Sequence, residues 1–444
     1  MSFQPLVDPP CSRLSEDMTM HQQLSSRLSS RITGVAAGLA SVVGAGLIGV
    51  PAAVISETGS AAILTWIVAA LACVPMLCLF RDTVVSRPES RDPLRDTVRS
   101  GLGRTAGDMV PLLFGIVVLV GLPAGSVMAA RNLSAITGSA LPESVTAIAI
   151  LAVAVATNLL GKHVGHQVER IGTVALILSL AGVVVWSTLH SQRVPEIFPD
   201  GGDVLLVPVG FMVAFWAFIG FENLTFLARD LPDPKREFMP IALTSLGLLL
   251  LLTTSLTVAV LVLTPRADPV TGVVDALRTT PYGDAAALVL AASGVVGMLL
   301  NSVAWVRGVG LVIDSAARDG ILPHSVAGRD ALNPRRAITI MSCGFAISLV
   351  LLQQKPTLVI DMLAAASGVF IVIYTLCILA YVRAFGLRVS TVANLALVPF
   401  LLWSLASSGW RAAFPLAAVL IAWVIVRVGV RRTSVPEMHE ARLP

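Results

Sequence analysis

The stretch GVAAGLASVVGAGLIGVP, residues 34–51, decides the reading of the fold. It is apolar for the length of a membrane span, yet Gly44, Gly46 and Gly49 fall close together and Pro51 follows. Each glycine weakens a helix interior by about 1 kcal/mol relative to alanine. Three of them with a proline suffice to unwind a turn. Unwound backbone at membrane depth survives only where it is buried in protein or lines a cavity. The alternative for such small residues is close packing of two helices. A second stretch pairs with the first: Phe215-Trp216-Ala217-Phe218-Ile219-Gly220-Phe221-Glu222-Asn223 sets a carboxylate beside a glycine in mid-span, flanked by aromatics. A charge at that depth costs at least a few kcal/mol and marks a functional candidate. The alternative is a structural carboxyl that accepts hydrogen bonds from unwound backbone.

Composition agrees with a membrane setting. The 444 residues are 55% hydrophobic and 13% charged, against about 25% charged in soluble domains. So few charges could not cover a soluble core. The apolar residues come in runs of roughly 17–25, enough to cross a bilayer as helix, and lack the short alternating segments of a β-barrel. Twelve segments read as spans, near 34–55, 60–80, 108–130, 144–160, 171–189, 205–228, 241–264, 284–306, 337–353, 358–382, 391–406 and 412–428. With the N-terminus in the cytoplasm, most of the 31 Lys and Arg fall in cytoplasmic segments, as the positive-inside rule requires. This predicts a multi-pass protein of the plasma (inner) membrane with both termini cytoplasmic. Residues 1–33 read as a disordered cytosolic tail without the apolar core of a signal peptide, and 429–444 as a second tail. The connector from Arg81 to Gly107 interleaves Arg with Asp82, Glu89, Asp92 and Asp96. It reads as a solvated linker whose ion pairs are worth little, or as a loop that touches a gate. Cys73, Cys78, Cys343 and Cys377 lie in apolar runs, at no metal-ligand spacing, and read as small buried hydrophobes.

The fold class that follows is an all-α membrane protein of twelve transmembrane helices. Residues 34–189 and 205–382 form a five-plus-five inverted repeat with helices one and six unwound, and 391–428 adds two C-terminal helices. Interrupted segments in corresponding positions of two inverted halves point to a mid-membrane binding site. Freed N–H groups at a half-helix N-terminus suit a carboxylate, because the dipole favours an anion there. Freed carbonyls suit an ammonium. An α-amino acid carries both groups close together.

At these residues the chain resembles the amino acid–polyamine–organocation permeases. That family's first-helix Gly-Ser-Gly-Ile-Phe pattern stands here as Gly44-Ala45-Gly46-Leu47-Ile48, and its sixth-helix pattern as Trp216 to Glu222. Asp230 to Pro240, Arg318-Asp319-Gly320 with Leu322-Pro323, and Asn333-Pro334 resemble three further motifs in order. Gly121-Leu122-Pro123-Ala124 and the run from Ser367 to Cys377 look most like the branch that exports methionine and branched-chain residues. The resemblance implies a LeuT-like fold. It implies that Gly44, Ala45, Gly46, Leu47 and Ile48 meet the substrate carboxylate, and that Ala217, Ile219 and Gly220 offer carbonyls to the amine. Trp216 would close over the substrate, and Glu222 would stand at a gate with a proton-linked role. Two departures matter. Ala45 replaces the usual Ser, so the carboxylate must rest on backbone N–H. Span five lacks the Lys that proton-coupled uptake members place there, which leaves Glu222 as the candidate H+ site.

The broken segments hold no second charge, which favours a neutral, largely apolar side chain on the substrate. Arg307 and Asp361 read as interfacial. The function expected is secondary active transport of neutral amino acids by alternating access, most simply export, with uptake or exchange by the same cycle as the alternative. No catalytic group, metal or cofactor is called for, and no nucleic acid; the partners are the substrate and the bilayer. His21, His163, His166, His190, His324 and His439 all fall in loops or tails, which disfavours a membrane-embedded enzyme. No ring of charges or carbonyl-filter repeat suggests a channel.

Overall fold

Two Asp-Pro pairs show how local sequence places helices in this chain. Asp92 accepts a hydrogen bond from Arg95 N, and Asp233 from Arg236 N, with Pro93 and Pro234 opening the helices behind them. An aspartate N-cap satisfies an orphan N–H, and a proline at the first helical position forfeits none. In this computed structural model the described residues are 31–433, apart from 37, 40, 41, 43–45, 91, 161, 192, 193, 195–197, 229, 230, 232, 265–267, 331 and 332. They are helical almost throughout. The principal helices are α1 (Gly46–Thr58), α2 (Ala62–Ser86), α3 (Pro93–Leu102), α4 (Arg104–Thr137), α5 (Glu143–Leu160), α6 (Lys162–Leu189), α7 (Val207–Trp216) and α8 (Asn223–Leu227). They continue as α9 (Pro234–Leu263), α10 (Gly272–Arg278), α11 (Gly283–Arg318), α12 (Arg335–Gln354), α13 (Leu358–Phe385), α14 (Val389–Ser407) and α15 (Ala413–Thr433).

Among the described residues nine helical stretches are long and apolar enough to cross a membrane. One of them, Ile48–Ser86, holds both α1 and α2, and the chain turns inside it at Gly59 with φ 53. Shorter apolar helices cover Val174–Leu189 and Val207–Trp216. The chain is therefore an integral membrane protein. Helix α4 is the axis of the bundle, with 83% of its apolar window buried against 22% for α14. It packs on α11, α13, α5 and α12. Outer helices turn apolar side chains outward, among them Leu178, Ile347 and Leu416, where lipid tails replace water. Of the tails read at 1–33 and 429–444, residues 1–30 and 434–444 lie outside the described residues, while 31–33 are helical and α15 continues through 429–433, which corrects those two edges.

The connector before α4 corrects the expectation of a solvated linker. It folds into α3, whose Arg95 side chain is only 4% exposed. Arg95 Nη2 donates to Asp108 Oδ1 of α4 at 2.9 Å, and Nη1 to Asp319 just past α11. Gly101 lies so close to α13 that a Cβ there would stand 2.7 Å from Ala380 Cα. The sequence shows the charges but not which of them the fold buries.

Asp92 at the start of α3 is also buried, and its Oδ2 has no partner among the described residues. Burial pushes its carboxyl up to about 6 from an ordinary 3.8, against the pull of the Arg95 N–H and guanidinium. The folded chain thus keeps a proton that the unfolded chain releases. Stability from this group is complete below the ordinary value and is lost as pH rises through about 6. Asp92→Asn keeps a capping oxygen and carries no charge. It should unfold in detergent with stability higher than the parent by on the order of 2 kcal/mol at pH 7.5, and equal to it near pH 4. A parent that is the more stable at pH 7.5 would contradict this.

Candidate functional site

Helix α7 ends at Trp216 and α8 begins at Asn223. Between them the backbone bonds shorten to the i→i−3 type, as in Ala217 N to Ala214 O at 3.0 Å and Asn223 N to Gly220 O at 2.9 Å. Gly220 takes φ 133, which a side chain would strain. Its N–H donates to Glu222 Oε2 at 3.1 Å. The Tyr374 hydroxyl of α13 donates to the same oxygen at 2.6 Å, across 152 residues of sequence. Glu222 is completely buried, and its Oε1 has no partner among the described residues. Tyr374 stands in an aromatic cluster with Phe215, Phe370 and Phe80, at centroid distances of 5.9, 5.6 and 5.8 Å. Glu222 thus does two things at once. It holds the break in shape locally, and it ties the break to α13.

The first glycine-rich stretch is partly in view. Gly44 and Ala45 lie outside the described residues. Among the described residues α1 begins at Gly46, directly after residues 43–45, which lie outside them. Pro51 sits inside α1 and has no N–H to return to the Leu47 carbonyl one turn earlier. Ile48 is 2% exposed and seats on α11, where a Cβ at Gly294 would stand 2.5 Å from its Cδ1.

The fold brings α1 and the break at 217–222 to one face of α4. Gly49 opposes Met128 of α4, and Trp216 opposes Gly121 of α4. Seven residues separate positions 121 and 128, which is two helical turns, or about 10 Å along the axis. Helix α1 also packs directly on α7. Of the residues expected at the second break, Ala217 and Ile219 are buried, each 3% exposed, while Trp216 is only partly buried. Other buried polar atoms without a partner among the described residues include Ser126 Oγ on α4, Ser302 Oγ on α11 and Asn223 Nδ2. Such atoms are where a native structure meets a polar ligand or water.

Two connections escaped the reading of the sequence. Tyr374 lies within the run from Ser367 to Cys377, and only the fold carries it to Glu222. A tyrosine amid an apolar span was the available signal. At the end of the bundle away from α3, Arg411 donates to Asp361 of α13 at 2.8 Å and to Glu57 of α1 at 3.0 Å. Asp361 is therefore half of a tie between α1 and α13. Arg307 is half-buried within α11.

Known proteins resemble this chain in sequence and in fold. The L-methionine/branched-chain amino acid exporter YjeH of Escherichia coli (strain K12) is 24% identical over 397 residues, which cover 87% of this chain and 93% of the exporter. The crystal structure of MhsT in complex with L-phenylalanine superposes with a TM-score of 0.59 at 17% identity, covering 90% of this chain and 98% of MhsT. A manganese transporter of Eremococcus coleocola, crystallised as a mutant, gives a TM-score of 0.60 at 12% identity over 90% of this chain and 96% of its own. The fold is thus LeuT-like. Residues 30–429, nearly the whole of the described bundle, match the amino acid permease family, and the chain belongs to that family.

Proposed function

We propose that this protein is a secondary active carrier of neutral, apolar L-amino acids that works by alternating access and serves as an exporter. The observation that supports the reading is the packing of α1 and of the break at 217–222 on one face of α4, with a buried carboxylate at the break. The first-turn amides of α1 and the backbone of Gly44 to Ile48 take the substrate carboxylate. The carbonyls of Ala217, Ile219 and Gly220 take the ammonium. Trp216 covers the bound molecule, and Glu222 carries the coupling proton. The apolar character of the substrate side chain follows from the absence of a second charge in the broken segments. Export is supported by the likeness to a protein named as an exporter.

The architecture assigned to this cycle is twelve spans in the plasma (inner) membrane, with 34–189 and 205–382 as inverted repeats and both termini cytoplasmic. Alternation then consists of the broken helices rocking against α4 and α11. Equilibrium binding to the purified protein tests the substrate class. Labelled L-leucine should be displaced by L-methionine, L-isoleucine and L-valine, and not by L-glutamate or L-lysine. Displacement by the charged amino acids at equal strength would overturn the assignment.

A further inference from the structure

We propose that Gly121 of α4 is the seat of the Trp216 indole, and that the missing side chain at this position sets where the ring rests over the site; the consequence for transport, though not the seat itself, rests on the carrier reading above. A Cβ at position 121 would stand 2.2 Å from Trp216 Cη2, 2.7 Å from Cζ3 and 3.3 Å from Cζ2. All three are on the outer edge of the six-membered ring, and they are the three atoms nearest to that Cβ. The space that glycine leaves is therefore occupied by this ring.

The contact differs from other glycine contacts in the bundle. Gly115 and Gly344 face the methyl ends of Ile313 and Leu119, which yield by a rotamer change. An indole is rigid and moves only as a whole about its two side-chain torsions. Trp216 is also the last residue of α7, at the edge of the break, and is more exposed than Phe215 and Ala217 on either side of it. A methyl at 121 would drive the ring away from α4, and the direction left to it is the open side of the break.

Helix propensity separates this role from a structural one. Gly121 lies inside the 34-residue helix α4. Alanine there raises helix propensity by about 1 kcal/mol. A variant that loses substrate affinity without losing thermal stability therefore reports the ring and not the helix. Phenylalanine at 216 lacks the outer ring edge, which makes Trp216→Phe the compensating change.

The experiment compares the parent, G121A, W216F and the double variant in proteoliposomes. Subtracting the W216F emission from the parent, and that of the double variant from G121A, isolates Trp216 fluorescence. Iodide quenching of that difference should rise in G121A; an unchanged quenching constant would overturn the seat. In leucine counterflow, G121A should raise the half-saturating concentration roughly tenfold, the equivalent of an overpacking strain of about 1.4 kcal/mol. On the W216F background the same substitution should shift it by less than about twofold. An equal shift on both backgrounds would also overturn the proposal. If the parent exchanges no amino acid while the quenching difference is present, the seat stands and the carrier reading falls.

Discussion

Glu222→Ala should reduce amino acid exchange by roughly thirtyfold or more and lower the thermal stability of the purified protein. The substitution removes the acceptor of the Tyr374 hydroxyl and the Gly220 N–H together, and both are buried. Each buried donor left without an acceptor costs about 1–3 kcal/mol. Because Gly220 stands at the break itself, the loss falls on the geometry of the site as well as on the fold. Glu222→Gln separates the two roles. Its amide oxygen can still accept from Tyr374 and Gly220, so stability should stay within about 1 kcal/mol of the parent. It cannot exchange a proton, so the dependence of transport on pH should flatten. Transport and pH dependence equal to the parent in Glu222→Gln would remove the proton from its role.

Arg95→Ala should be the most destabilising change at the other charged cluster, by about 3–5 kcal/mol in thermal or denaturant unfolding. It strands Asp108, whose side chain is only 2% exposed and whose remaining cation, Arg104, is 3.4 Å away on the surface. Asp319 is half exposed and regains water, so little of the effect comes from it. The double variant Arg95→Ala with Asp108→Ala should recover a large part of the loss, because no charge is then left buried without a partner. A double variant as unstable as the sum of the singles would show that packing of α3, and not the ion pair, holds this end of the bundle together.

The apolar spans were legible because their signal is local. A run of apolar residues must be helical in a bilayer wherever it packs. Each segment read from the sequence is largely helical among the described residues, apart from the turn at 205–206 and the break at 217–222. The edges were less so. The segment read as 284–306 continues to Arg318. Arg307 interrupts the apolar run, and the helix goes on through Gly308 to Ile313 into a last turn of polar residues, where Arg318 is bonded to Asp314 at 2.7 Å. A hydropathy reading has no reason to include them. The glycine at 220 announced its break because position and residue type coincide there, and the φ of 133 is the physical content of that signal.

Connections between distant segments were not legible. Nothing near Tyr374 names Glu222, and nothing near Arg95 says that it will be enclosed by Asp108 and Asp319. Alternating Arg and Asp reads the same whether water or protein surrounds it. Gly121 was visible as part of a Gly-Leu-Pro run, but the ring lying on it comes from another helix. The break at 217–222 was thus readable locally. That it shares a face of α4 with α1 is a property of the fold alone.

Counterflow tests the central claim most directly. Proteoliposomes loaded with unlabelled leucine or methionine should accumulate labelled leucine against its outside concentration, and those loaded with glutamate or lysine should not. Failure of every neutral amino acid to drive accumulation, by protein that elutes as a monodisperse folded species, would contradict the account.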